Sequence, residues 1–211
     1  MQVAAIIPVK TFSNAKSRLG LSQEKTAQLC KIMLEQVLES ISQSKTIAKS
    51  ILVSRDESAF EIGRRFNATQ IFEDDENGVN HAVSLADRYL LENGFDTSVV
   101  FPQDIPMMRP QDITNLIKFQ TMKTSLLVVP SRKFDGTNAL VRTPVDVIET
   151  HYDEDSYKIH LTTGKSRKIS TSFVLISRIM WDVDNRSDLE FIMSNIEKPV
   201  LREQLQDILN G

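Results

Sequence analysis

Val3-Ala4-Ala5-Ile6-Ile7-Pro8-Val9-Lys10 decides the fold class. The run is apolar without a break until it meets a lysine, and it is far too short to span a bilayer. It lacks the alternation of a half-exposed strand, so it reads as a strand buried on both faces, as parallel sheets require. Working outward, Ile47–Ser54, Thr97–Phe101 and Ser125–Val129 read the same way, with a shorter strand at Gln70–Phe72. Helical patterns separate them. Ala27, Cys30, Leu34, Val37, Leu38 and Ile41 return at helical spacing within Ser22–Ser44, and Ala82, Leu85, Ala86, Tyr89 and Leu90 stripe a helix after Gly78. Glu57–Phe66 and Pro110–Phe119 complete the alternation, the latter with proline at its start. The pattern predicts a three-layer α/β/α sandwich around a Rossmann-like, mostly parallel mixed sheet.

The last third is less regular. Thr137–Arg142 and Lys168–Ile176 read as extended, Ser156–Leu161 as the start of a helix, and Ser187–Ile196 and Leu201–Leu209 as closing helices. No repeat or Pro/Gly/Ser-rich linker divides residues 1–211, which are read as one domain. The apolar positions Val200, Leu201, Leu205, Ile208 and Leu209 suit either internal packing or a homodimer interface.

Composition excludes several classes. The 211 residues are 41% hydrophobic and 25% charged, enough apolar material for a sizeable core. Lys and Arg total 25 against 28 Asp and Glu, a formal charge of -3, which gives no support to a general nucleic-acid or anionic-membrane surface and leaves room for a local basic pocket. With one cysteine, Cys30, there is no intrachain disulfide, and three histidines without ligand spacing give no zinc site. Met1–Val9 has neither a basic leader nor a cleavage pattern, so a cytoplasmic location is expected. The glycosylation-like triplets at Asn67 and Asn185 are then chance matches.

In open α/β sheets ligands bind beyond the carboxyl ends of the strands. Three polar clusters fall there. After Val9 come Lys10, Lys16 and Arg18, cations able to hold a polyphosphate or simply to form a solvated loop. No dinucleotide fingerprint follows this strand, and Gly164-Lys165-Ser166 resembles only the tail of a P-loop. After Phe101 comes Asp104, placed to bind Mg²⁺ or to cap a turn. Asp182 and Asp184 sit two apart, so in an extended segment their carboxylates face the same way and can share a metal with Asp104. After Pro130, Gly136-Thr137-Asn138 offers donors and acceptors to an anion or a base. Asn80 either caps the helix after Gly78 or reads a base edge.

The ordered set of these motifs resembles the 2-phospho-L-lactate guanylyltransferase family of the CofC type. The resemblance runs from Ile7-Pro8-Val9-Lys10 and Ala15-Lys16-Ser17-Arg18-Leu19 through Gly78-Val79-Asn80 and Asp104-Ile105-Pro106. It continues with Pro130-Ser131-Arg132, Gly136-Thr137-Asn138-Ala139-Leu140, Ser156, His160 and Asp182-Val183-Asp184. It implies a nucleotide-diphospho-sugar transferase-type fold and a GTP-dependent guanylyl transfer, with pyrophosphate release, in deazaflavin coenzyme F420 biosynthesis. The implied acceptor is 2-phospho-L-lactate or a relative such as phosphoenolpyruvate or 3-phosphoglycerate. By the same resemblance Asp104, Asp182 and Asp184 would hold Mg²⁺, and Pro8, Lys10, Lys16 and Arg18 would contact the triphosphate. Asn80 would lie near the guanine, and Thr137, Asn138, Asp153 and Ser156 would hold the acceptor. Lys10, Arg18 and the three aspartates would carry the catalytic charge. A homodimer also accords with the family.

One departure stands out. Where the family has a glycine-rich turn, this chain has Tyr152-Asp153-Glu154-Asp155, acids that disfavour an anionic acceptor unless they face solvent or recruit a cation. An altered acceptor or an added metal contact is therefore expected. The competing readings are a transferase using another nucleotide or acceptor, and a GTP-binding protein without turnover.

Overall fold

The computed structural model describes residues 2–12, 16–153 and 155–210. Ala15 of the basic motif and Glu154 of the acidic turn lie outside them. Strands β1 (Val3–Pro8), β2 (Lys49–Ser54), β3 (Thr69–Phe72), β4 (Thr97–Val100), β5 (Ser125–Pro130), β6 (Thr137–Thr143) and β7 (Ser170–Phe173) form one sheet in the order β3-β2-β1-β4-β6-β5-β7. Helices α1 (Gln23–Ser42), α2 (Glu57–Arg65), α3 (Val79–Glu92), α4 (Pro110–Lys118), α5 (Ser156–Ser166), α6 (Ser177–Met180), α7 (Arg186–Asn195) and α8 (Pro199–Asn210) cover it. Among the described residues no helix is long and apolar enough to cross a membrane.

The unbroken apolar character of β1 has a direct cause. Val3, Ala5 and Ile7 join one buried cluster with Leu34, Val37 and Leu38 of α1, while Ala4 and Ile6 join a second with Val83, Ala86 and Leu90 of α3. Both faces of the strand are therefore core. At about 25 cal/mol per Å² of apolar surface, this burial on two sides is the main stabilising term for the central strands. Ser22 caps α1 by accepting the Lys25 amide, and Asp56 caps α2 by accepting the Ser58 amide. The C-terminal helix packs internally: Leu201, Leu205 and Ile208 are buried against the core that includes α1, and Val200 alone of the apolar set is largely exposed.

Strand direction places the site. β1 pairs in parallel with β2 on one side and with β4 on the other, so the chain order reverses between β1 and β4 and opens a crevice there. β6 runs antiparallel to both β4 and β5. The link from Pro130 to Thr137 is too short for a parallel crossover, which needs a dozen or more residues. The hairpin reverses the chain, and the first residues of β6 join the carboxyl ends of the parallel strands. Ser131 organises this turn, its Oγ accepting the Asp135 and Gly136 amides while its own amide donates to the Gly136 carbonyl.

One expectation needs correction. The extended segment predicted over Lys168–Ile176 is a strand only over Ser170–Phe173, and the short helix α6 follows it unannounced. Gly164-Lys165-Ser166 lies at the end of α5 as a packing element, since a Cβ on Gly164 would press into Thr171 and lie 2.9 Å from Leu126 Cδ2.

Candidate functional site

A cavity of about 380 Å³ opens at the β1/β4 switch point. It brings together Pro8, Lys10, Lys16, Arg18, Asp104, Thr137 and Asp184, all singled out in the sequence. Val79, Gln103 and Tyr152, to which sequence reading assigns no role, also line it. The only signal for them was adjacency to motif residues.

Each loop is anchored. After β1, the Thr11 amide donates to Glu76 Oε1 at 2.6 Å and the Phe12 amide to Asp56 Oδ2 at 2.9 Å. Lys16 has a left-handed backbone (φ 57°) and leads into the 3₁₀ turn Ser17–Leu19. The segment bearing Asp182 and Asp184 is tied to the loop after β4 by the Val183 amide donating to the Asp104 carbonyl at 3.1 Å. The buried Asp188 accepts the Asp184 and Asn185 amides and pairs with Lys133 at 2.8 Å, fixing the same segment from below.

The charges are unevenly compensated. Lys16 Nζ pairs with Asp104 and lies 2.6 Å from Asp184 Oδ1. Burial alone would lower its pKa, but Asp104 and Asp184 overcome that and raise it. Burial also acts on Asp184, yet Lys16 holds its carboxyl below the usual range. Asp182 takes the other course: burial, then the Asp104 charge, push it up to about 7. It accepts a hydrogen bond from Asn138 Nδ2 at 3.0 Å, and Asn138 also donates to the Ile179 carbonyl. Lys10 and Arg18 are exposed, and among the described residues neither is held in an ion pair.

Unmet polar atoms mark the cavity as a place for a ligand. Asp104 Oδ1, Gln103 Oε1 and the Tyr152 hydroxyl are buried without a hydrogen-bond partner among the described residues. Such orphans are costly unless a ligand or water meets them. Among the described residues no three His, Cys, Asp or Glu side chains form a ready metal cage. Mg²⁺ is commonly held by only one or two carboxylates plus substrate phosphates. The unpartnered Asp104 Oδ1 beside the Asp184 carboxylate gives such a partial set.

A second cavity of about 220 Å³ shares Pro8, Lys10 and Val79 with the first. Val9 and Ala82 add apolar wall, and Glu73 and Glu76 add carboxylates. Glu73 is only 4% exposed, and its Oε1 lies 2.9 Å from His81 Nδ1.

Other predicted residues fall just outside the cavity lining. Ser156 is buried and its Oγ donates to Thr137 Oγ1 at 3.0 Å. Asn80 does not cap α3, where Gly78 holds the cap position; its Oδ1 instead accepts the Tyr152 amide at 2.8 Å and fastens the Tyr152 segment to the helix. Asp153 and Asp155 are exposed and are not among the residues lining the cavity, and Asp155 pairs with Lys158 at 2.9 Å.

Comparison with known proteins accords with this geometry. Residues 3–209 match the family model described as guanylyl transferase CofC like, and the chain belongs to that family. It is 28% identical over 193 residues to a phosphoenolpyruvate guanylyltransferase of Conexibacter woesei, covering 90% of this chain and 86% of that one. It is 26% identical over 208 residues to a 2-phospho-L-lactate guanylyltransferase of Methanobrevibacter smithii, covering 98% and 90%. A solved structure from Desulfovibrio desulfuricans G20, described as a nucleotide-diphospho-sugar transferase, superposes with a TM-score of 0.78 at 15% identity, covering 98% of this chain and 95% of that one. That likeness confirms the α/β sandwich with its mostly parallel mixed sheet.

Proposed function

With family membership as the premise, we propose that this protein transfers GMP from GTP to the phosphate of a small phosphorylated carboxylic acid. The acceptor is 2-phospho-L-lactate, phosphoenolpyruvate or 3-phosphoglycerate, and the product serves deazaflavin coenzyme F420 biosynthesis. The observation that carries the reading is the cavity between β1 and β4, which Lys10, Lys16, Arg18, Asp104, Asp184 and Thr137 line together.

The chemistry asks for charge management more than for a base. An acceptor phosphate oxygen forms a bond to the α-phosphorus of GTP, the bond from that phosphorus to the bridging oxygen breaks, and pyrophosphate leaves with the electron pair. The nucleophile is already anionic, so no proton has to be removed. The barrier lies in bringing two polyanions together and stabilising the leaving pyrophosphate. Lys10 and Arg18, in no ion pair among the described residues, are suited to the β- and γ-phosphates, and Lys16 to the charge next to the carboxylates. Mg²⁺ held by Asp104 with Asp184 and Asp182 would neutralise phosphate charge at the reacting centre. Thr137, with Ser156 and Asn138 behind it, suits the acceptor's anionic groups. Asp153 and Asp155, exposed and outside the cavity lining, leave room for an anionic acceptor.

The second cavity suits the base. Pro8, Val9, Val79 and Ala82 give apolar surface for the purine faces, and the Glu73 carboxylate is an acceptor for the adjacent N1–H and N2–H₂ donors of guanine. Adenine presents an acceptor at N1 and would meet repulsion.

Pyrophosphate release with Mg²⁺ and each of the four nucleoside triphosphates, in the presence of the three acids, tests the proposal. Release with GTP, dependent on one acid, is expected. Tight GTP binding without release under any acid would favour a sensing role, and release with CTP or UTP in preference to GTP would overturn the base assignment.

A further inference from the structure

His160 lies fully buried behind Thr137 and is joined to it through a chain of hydrogen bonds whose polarity can be worked out from one end. The His151 amide donates to His160 Nε2 at 3.0 Å. A backbone N–H is always a donor, so Nε2 carries no proton. A neutral imidazole then carries its proton on Nδ1. Nδ1 lies 3.1 Å from Thr137 Oγ1, so it donates to that oxygen. Ser156 Oγ donates to the same oxygen at 3.0 Å. Both acceptor positions of the Thr137 hydroxyl are thereby filled. Its own proton is left to point elsewhere, and Thr137 lines the main cavity.

We infer that His160 is a positioning residue: locked as the Nδ1–H tautomer, it makes the Thr137 hydroxyl an obligate donor aimed at an anionic oxygen, phosphate or carboxylate, of the acceptor. A free threonine hydroxyl donates or accepts with equal ease. Opposite an anion only donation is useful, and the buried relay removes the alternative before the ligand arrives. Burial, helped by nearby His151 and Arg142, pushes His160 down to about 3, so the relay keeps its direction throughout the neutral range. The Tyr152 ring packs edge-on to the imidazole at 5.2 Å and fixes its plane.

The assignment rests on the acceptor reading above, and two measurements on the full chain separate them. Nitrogen-15 NMR of the histidine-labelled protein reads the tautomer without any substrate. Protonated Nδ1 with bare Nε2 is expected, and the reverse overturns the inference whatever the protein does with GTP. Titration of phosphoenolpyruvate, 2-phospho-L-lactate and 3-phosphoglycerate into protein saturated with Mg²⁺ and α,β-methylene-GTP reads the consequence. His160→Leu, which fills the space without a donor, is expected to weaken the bound acid by about tenfold or more while leaving the GTP analogue within about twofold. His160→Gln, whose amide can donate to Thr137 and accept from His151, is expected to recover most of the loss. In a Thr137→Val background His160→Leu should add nothing, because both act through one hydroxyl. Additive losses, or equal weakening of acid and nucleotide, would assign His160 to packing and overturn the inference. Failure of the native chain to bind any of the three acids would overturn the acceptor reading, with the tautomer still deciding the relay.

Discussion

Lys16 Nζ lies 2.6 Å from Asp184 Oδ1, a contact that spans 168 positions of sequence and closes the loop after β1 onto the segment after α6. With its second pair to Asp104, the ammonium stands between the carboxylates that a divalent cation would need. On the proposed reading, metal and lysine would compete for the same charge until phosphates took the lysine. Lys16→Met should bind Mn²⁺ about tenfold more tightly than the native chain without nucleotide, equivalent to about 1.4 kcal/mol, while its KM for GTP rises. Paramagnetic relaxation of Mn²⁺ solutions reads the first effect independently of turnover. Unchanged Mn²⁺ affinity would show that Lys16 does not shield the acids.

On the proposed reading, Glu73 would carry the choice of base. Glu73→Gln keeps the size but offers one good acceptor where the carboxylate offers two. Loss of a charged hydrogen bond of about 1.5–3 kcal/mol predicts a tenfold or greater rise in KM for GTP. The preference for GTP over ITP, which lacks the N2 amino group, should shrink by a similar factor. A variant that discriminates the two as the native chain does would remove Glu73 from base recognition.

Gly164 distinguishes packing from phosphate binding. A methyl group there would press into Thr171 and Leu126, and overpacking of this kind costs about 1–3 kcal/mol. Gly164→Ala should lower the urea midpoint while KM for GTP stays as in the native chain. A selective rise in KM at unchanged stability would contradict a packing role for Gly164.

His160 sets an acid limb of stability. Unfolded, it titrates near 6.5; folded, burial holds it near 3. Between those values the unfolded chain binds the additional proton, so the contribution is complete above about pH 6.5 and is lost as pH falls toward 3. Chemical denaturation across that range should show a shallower acid limb for His160→Gln than for the native chain. Parallel limbs would mean that His160 titrates normally in the fold.

The fold was legible where burial is two-sided or periodic. β1 announces itself because Val3, Ala5 and Ile7 face one core and Ala4 and Ile6 the other, leaving no polar position to interrupt the run. α1 shows its stripe and its Ser22 cap. The four-residue α6 has no room for a period, and the end of the extended segment before it was misplaced accordingly. The cationic and acidic residues of the site were legible as types at strand ends, because switch-point geometry gathers such loops. Their pairings were not. Asn80 finds the Tyr152 amide 72 positions away, and no local cap signal reports that. Glu73 passed unnoticed because one buried acid at the end of a strand makes no pattern in sequence; only the cavity around it gives it meaning.

Guanylyl transfer to a phosphoacid is the central claim, and the fate of the α-phosphorus tests it most directly. Native chain, Mg²⁺ and GTP labelled at the α-phosphate should be incubated with each of the three acids, and the labelled product separated and weighed by mass spectrometry. Label in an acid joined to GMP through a new phosphoanhydride, with one pyrophosphate released per product, is the predicted result. Label remaining in GTP, or appearing only as GMP with every acid, would contradict it.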